Sequence, residues 1–135
     1  PNPKTWASLR TSTEQNVAAL RHLWPADPGA VLPIVATVPP QHMYGMELSV
    51  LLPLFAAVGV HAARPFFPDD VARALTEADA PALLVTTPVH LRALVESGVP
   101  LPPLAGIVTA TAPLPQALAE AAEARFGCEV RELFG

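Results

Sequence analysis

One cysteine, Cys128, is all the thiol the chain carries, which excludes an internal disulfide framework and a thiolate metal cluster and accords with a cytoplasmic, reducing compartment. Charge is sparse as well, 15% of residues with a formal net of -4. Without a basic stripe to neutralise a phosphate backbone or an anionic lipid surface, nucleic acid is not an expected partner. Long hydrophobic runs are missing: the most apolar stretch, Val50 to Val60, is broken by Pro53 and Gly59 and falls short of the roughly 20 residues that cross a bilayer. The opening PNPKTWASLR lacks both a methionine and the charged-then-apolar order of a signal peptide. There is no G-x-G-x-x-G, no Walker A loop and no G-x-S-x-G elbow, so the common dinucleotide, phosphate-loop and serine-hydrolase chemistries lack their signatures. No second histidine or acid stands at ligand spacing from His42, and no metal site is expected.

What is abundant is apolar surface. Hydrophobic residues make up 51% of 135, enough for one domain around one core. From Thr5 to about Leu23, Trp6, Leu9, Val17 and Leu20 fall on one stripe, predicting an amphipathic helix that Pro25 ends. AVLPIVATV is continuous and β-branched, the pattern of a strand buried on both faces, although Pro33 inside it is unusual for a strand. MELSVLLPLFAAV reads as an interior helix, followed by a short strand near GVHAA.

The punctuation then becomes regular. FPDDVARALTEAD opens with a proline and two aspartates suited to the positive end of a helix dipole. PALLV is a strand. TTPVHLRALVESG supplies a threonine cap, a proline at the first helical position and a glycine terminator. LAGIVTA is a strand, PLPQALAEAAEARFG a helix ended by Gly127, and EVRELF a last strand. Most of the 17 prolines fall at element boundaries, where they set φ and stop helices. Strands alternating with helices of about a dozen residues predict an α/β fold, a three-layer, mostly parallel sheet of about five strands with helices on both faces.

In such sheets ligands bind beyond the carboxyl ends of the strands, where loops and helix N-termini converge. Three stretches are expected there: VPPQHMYG, TATAPLP and LFG. In the first, Pro39 and Pro40 fix the direction of exit, Gln41 and His42 present polar groups, and Gly45 allows close approach. It reads either as the lining of a substrate pocket or as a helix start in which Met43 and Tyr44 begin the helix and His42 caps it. The second, Thr109 to Pro115, reads either as a plain turn or as small residues that admit a flat group; Phe134 alone reads as a core aromatic. His22, His61 and His90 are expected at the surface or in satisfied hydrogen bonds, and Asp69 and Asp70 as helix-start acids. A receiver-like module would end a strand on a phosphorylatable aspartate, but the strand ends here read ATVPP, LLVTTP and TATAP.

Taken in order, the three stretches resemble the adenylate-forming superfamily of acyl-CoA synthetases, peptide-synthetase adenylation domains and luciferases. PPQHMYG is similar to the P-x-x-H-x-x-G segment of acyl-CoA and aryl-CoA ligases, TATAPLP to their S-G-A-A-P-L loop, and ELFG to the start of Y-G-x-T-E. The likeness runs from about Lys4 to Gly135. It departs at Gln41, where the ligases often carry an aromatic residue, and at Ala110, where they often carry glycine.

The resemblance implies an ATP-dependent, AMP-forming ligase. A fatty or aromatic carboxylic acid and ATP would give an acyl-adenylate and pyrophosphate, and the acyl group would pass to coenzyme A or a carrier-protein phosphopantetheine. It implies a substrate-binding set of Gln41, His42, Met43, Gly45, Ala110 and Thr111. It implies a cofactor-binding set of Thr109, Ala110, Thr111, Ala112, Pro113, Phe134 and Gly135, with Phe134 stacking on adenine. The family's Ser/Thr/Gly-rich phosphate loop, magnesium-binding Thr-Glu pair, ribose-binding aspartate and C-terminal domain with its catalytic lysine are not among these residues. The expectation is therefore a single α/β subdomain, residues 1–135, of the N-terminal domain of a larger enzyme. It would hold no catalytic residue, no metal and no tightly bound ATP, magnesium or coenzyme A, and would be inactive alone. Its partners would be the rest of its own polypeptide or a second copy across exposed faces. The competing expectation is a non-catalytic α/β binding or scaffold module.

Overall fold

The computed structural model describes residues 5–20, 22, 31–37, 58–60, 65, 67–78, 80–110 and 112–132. In chain order these form α1 (Trp6–Leu20), β1 (Leu32–Ala36), β2 (Val58–Val60), α2 (Pro68–Glu77), β3 (Ala82–Thr86), α3 (Pro88–Ser97), β4 (Leu104–Thr109), α4 (Gln116–Phe126) and β5 (Val130–Glu132). The five strands make one sheet in the order β2-β1-β3-β4-β5, every pairing parallel. The expected α/β architecture, parallel sheet and helix alternation are present. The predicted helix MELSVLLPLFAAV lies outside the described residues.

Local chemistry explains the helices. Pro68 occupies the first turn of α2 with Asp69 and Asp70 beside it, acids that favour the positive end of the helix dipole. In α3, Thr87 Oγ1 accepts the His90 N–H at 3.2 Å, Pro88 follows the cap, and Gly98 ends the helix at φ 74°. That left-handed conformation costs an ordinary residue about 1–2 kcal/mol, which is why glycine stands there. Gly127 does the same for α4 at φ 67°, its N–H reaching Glu123 O at 2.9 Å.

Helices α2, α3 and α4 connect β2 to β3, β3 to β4 and β4 to β5, all stepping the same way across the sheet. Right-handed crossovers therefore put all three on one face. The core confirms it: Val71, Ala74 and Leu75 of α2, Leu91 and Leu94 of α3, and Leu118 and Ala122 of α4 pack with Val35, Leu84 and Ile107 of the strands. Each leucine buried there is worth about 1.5–3 kcal/mol. On the other face Ile34, Ala36, Leu83, Val85 and Val108 are also fully buried, so both faces are covered. Pro33 is accommodated because pairing to β3 begins only at Ile34, while Pro33 itself lies opposite Gly59 of β2.

The predicted stripe of α1 needs correction at one end. Leu20 is fully buried, but Trp6 is 61% exposed. The helix meets the rest of the molecule at its C-terminal end, where the Arg131 guanidinium donates to Ala19 O at 3.3 Å and His22 meets Glu129 at 2.7 Å.

Candidate functional site at the carboxyl edge of the sheet

Strand register places one polar row at the carboxyl edge. Val35, Leu84, Ile107 and Val130 form an apolar row beneath the helices, since Leu84 pairs with both Val35 and Ile107, and Ile107 with Val130. Two residues further along each strand, side chains return to the same face. There the row becomes Thr37, Thr86, Thr109 and Glu132, with Thr86 opposite Thr109 and Thr109 opposite Glu132. In one pleat the sheet changes from wholly apolar to wholly polar.

The threonines are buried: Thr86 and Thr109 at 0% exposure and Thr37 at 3%. A buried hydroxyl needs partners. Thr37 Oγ1 lies 2.8 Å from Thr86 Oγ1 and 2.8 Å from His90 Nδ1, while its N–H donates to Val85 O at 2.9 Å. Among the described residues, Thr109 Oγ1 has no hydrogen-bond partner. At the far end of the row, Glu132 accepts the Leu114 N–H, tying the loop after β4 to the end of β5.

The row crosses the topological switch point. From β1 the chain continues to β2 on one side, and from β3 to β4 on the other, so the connections diverge between the carboxyl ends of β1 and β3, the place where open α/β sheets hold their ligands. Thr37, Thr86 and His90 form the hydrogen-bonded floor there. Burial lowers the pKa of His90 from its ordinary 6.5, so near neutral pH the imidazole is uncharged, one ring nitrogen donating and the other accepting.

The chemistry of this floor is neutral and adaptable, three hydroxyls and an imidazole with one carboxylate at the rim. Those groups fit the uncharged parts of a nucleotide or an acyl group. They do not fit a triphosphate, because the row contains no lysine, arginine or main-chain anion cradle. Among the described residues no group of three or more His, Cys, Asp and Glu side chains stands together.

Of the sequence-predicted site residues, Ala110 is buried and its N–H reaches Thr86 O at 3.3 Å. Thr109 ends β4 within it, and Ala112 and Pro113 follow on the exposed loop. Gln41, His42, Met43, Gly45, Thr111, Phe134 and Gly135 lie outside the described residues, as does His61. What the structure brings into one row are Thr37, one residue upstream of the 38–45 stretch, Thr109, the first residue of the 109–115 stretch, and Glu132, which ends the last strand. Sequence reasoning missed Thr37, Thr86 and His90. Their signal was present: ATVPP, LLVTTP and TATAP each carry a threonine at the end of a doubly buried strand, an unusual place for a hydroxyl unless it has work there.

Among the described residues, the other histidine and the cysteine are of different character. His22 and Glu129 form an exposed pair that Arg131 joins through the other carboxylate oxygen. Burial, with Glu123 and Glu129 adding to it, pushes the Cys128 thiol up to about 11, which leaves it a poor nucleophile. Two hollows, of about 420 Å³ beside Val99–Pro103, Arg125 and Phe126 and about 230 Å³ beside Leu75, Ala80 and Pro81, lie at the amino ends of β3 and β4. They are at the opposite edge from the polar row.

The sequence matches the family of AMP-binding enzymes over residues 8–135. The chain belongs to that family. No curated protein sequence matches it. Among solved structures, apo MatB from Rhodopseudomonas palustris superposes with a TM-score of 0.73 at 21% identity, covering 94% of this chain and 24% of that one. An ATP-bound chimera, RpMatB-BxBclM B1, gives 0.75 at 20%, with 94% and 24% covered. A benzoate CoA ligase from Burkholderia xenovorans LB400 gives 0.66 at 23%, with 93% and 26% covered. These AMP-binding family likenesses share the fold, and the chain spans about a quarter of the length of each solved relative. No described helix is long and apolar enough to cross a membrane.

Proposed function

We propose that this chain is part of the large N-terminal domain of an AMP-forming acid–thiol ligase, contributing the floor of a crevice shared by adenylate and acyl group. The parent enzyme would activate a fatty or aromatic acid with ATP and transfer it to coenzyme A or a carrier-protein thiol. The observation that carries this reading is the buried Thr37–Thr86–His90 network at the β1/β3 switch point, in a chain of the AMP-binding family. Support for an acyl or aryl substrate comes from the P-x-x-H-x-x-G likeness of PPQHMYG and from fold similarity to a benzoate CoA ligase.

ATP, when bound, supplies the adenylyl group that turns the acid into a mixed anhydride. The residues of this chain do something more limited. Thr37 and Thr86 keep the crevice floor hydrogen-bonded and dry, and Ala110, without a large side chain, lets a flat group approach the main chain. His42, the backbone of 109–113 and Phe134 are proposed to complete the acid and adenine contacts. The groups that neutralise phosphate charge, each commonly worth several kcal/mol in such chemistry, belong to other parts of the parent.

Acid-dependent exchange of pyrophosphate into ATP tests the reading. The parent chain is expected to exchange with at least one member of a panel of fatty and aromatic acids, and the 135-residue chain alone with none. A parent inert toward every acid, with no AMP or ATP binding by calorimetry, would favour a scaffold module instead.

A further inference from the structure

Away from the polar row, at the amino edge of the sheet, a hollow of about 420 Å³ lies between Val99–Pro103, which lead from α3 into β4, and Arg125 and Phe126 at the end of α4. Its size is that of small-molecule sites, roughly 300–1,000 Å³. The walls are stiff. Pro100, Pro102 and Pro103 hold φ at about −65°, Gly98 turns the chain out of α3 at φ 74°, and Leu101 and Phe126 pack against the core. A wall already in place lowers the ordering cost of binding.

One charge stands in this lining. The Arg125 guanidinium sits 5.8 Å from the centroid of the Phe126 ring, within the range where a ring attracts a cation, and its Nη2 is 3.9 Å from where a Cβ at Gly98 would stand. Arg10, Arg73 and Arg131 each meet a carboxylate, but among the described residues none meets Arg125. A guanidinium offers paired N–H donors whose spacing matches the two oxygens of a carboxylate. A second hollow, of about 230 Å³, shares Pro102 and Pro103 with the first and has no charged residue in its lining, which reaches Leu75 and Pro81. Polarity therefore runs one way along this edge, from a cation at the end of α4 to apolar walls beside α2.

We propose that the amino-edge hollow binds a small carboxylic acid with an apolar body, the carboxylate on Arg125 and the body along Val99–Pro103 toward the second hollow. The site lies at the opposite end of the strands from the polar row, so an acid held there is an effector and not the substrate of the ligase reading, on which this inference does not depend. An exposed ion pair alone is weak. Both halves of the ligand are required: the fork selects the carboxylate, and the apolar walls supply the rest of the affinity.

The experiment uses the parent enzyme and octanoate as the probe, with binding followed by calorimetry. Arg125 is exposed, so its replacement leaves the core intact. Arg125→Gln is expected to weaken a component of octanoate binding about tenfold, while pyrophosphate exchange, governed by the distant edge, stays within about twofold of wild type. Arg125→Lys, which keeps the charge without the fork, should fall between. Val99→Phe, which fills the hollow and leaves the charge, should abolish the same component. Acetate and octanol, each carrying one half of the recognised chemistry, should not displace octanoate from it. Octanoate binding equal in wild type, Arg125→Gln and Val99→Phe overturns the proposal. Displacement by acetate as effective as by octanoate overturns it too, since a bare surface charge would then account for the binding. A parent inert in pyrophosphate exchange whose octanoate binding is nonetheless lost in both variants overturns the ligase reading and upholds this site.

Discussion

Thr86 and Thr109 lie opposite each other on β3 and β4, both fully buried, yet among the described residues Thr86 has a partner for its hydroxyl and Thr109 has none. The asymmetry follows from geometry. Thr86 has β1 beside it, with Thr37 at the same level, whereas the neighbour of Thr109 on its outer side is Glu132, whose carboxylate turns to Leu114. A buried hydroxyl without a partner costs about 1–3 kcal/mol.

Replacing Thr109 by the isosteric valine should therefore stabilise the chain, by about 1 kcal/mol. Urea unfolding followed by circular dichroism reads this directly as a higher midpoint at unchanged slope. A lower midpoint would mean that the hydroxyl has a partner after all.

The lowered pKa of His90 makes stability depend on pH in a defined direction. Burial disfavours its charged form, so between the lowered folded value and the unfolded 6.5 the unfolded chain binds more protons. Stability then rises with pH across that window. The contribution is complete above 6.5 and is lost as pH falls through the window toward the folded value. Unfolding free energies measured from about pH 5 to 8 should decline on the acid side in the wild type, and His90→Asn should flatten that part of the curve. Equal slopes in the two proteins would show that His90 titrates alike in both states.

Cys128 gives a chemical readout of packing around α4 and β5. With its thiol raised from 9.0 to about 11, the thiolate fraction near pH 8 is about a hundredfold below that of an unperturbed thiol. Iodoacetamide should label the folded chain correspondingly slowly and the urea-unfolded chain at the ordinary rate. Rapid labelling of the folded chain would show that Cys128 is neither desolvated nor close to Glu123 and Glu129.

Much of the architecture was legible without coordinates because its determinants are local. Thr87, Pro88 and Gly98 bound α3 as the sequence predicts, and Gly127 ends α4 as predicted. Trp6 shows where periodicity misleads. A stripe says which side of a helix is apolar, but whether the first turn is covered depends on what lies beside it; Trp6 is exposed while Leu20 is fully buried. The site was less legible than the fold. Three threonines at strand ends are unremarkable as separate residues; only pairing makes them a row.

The sequence by itself therefore determined the alternation of strands and helices, their ends and the family to which the chain belongs, since caps, turns and periodicity act over a few neighbouring residues. Tertiary structure alone decided the strand order, the switch point between β1 and β3 and the meeting of Thr37 with Thr86 and His90. Those contacts join residues 49 and 53 positions apart. They arise from parallel pairing and right-handed crossovers, which no short window of sequence encodes.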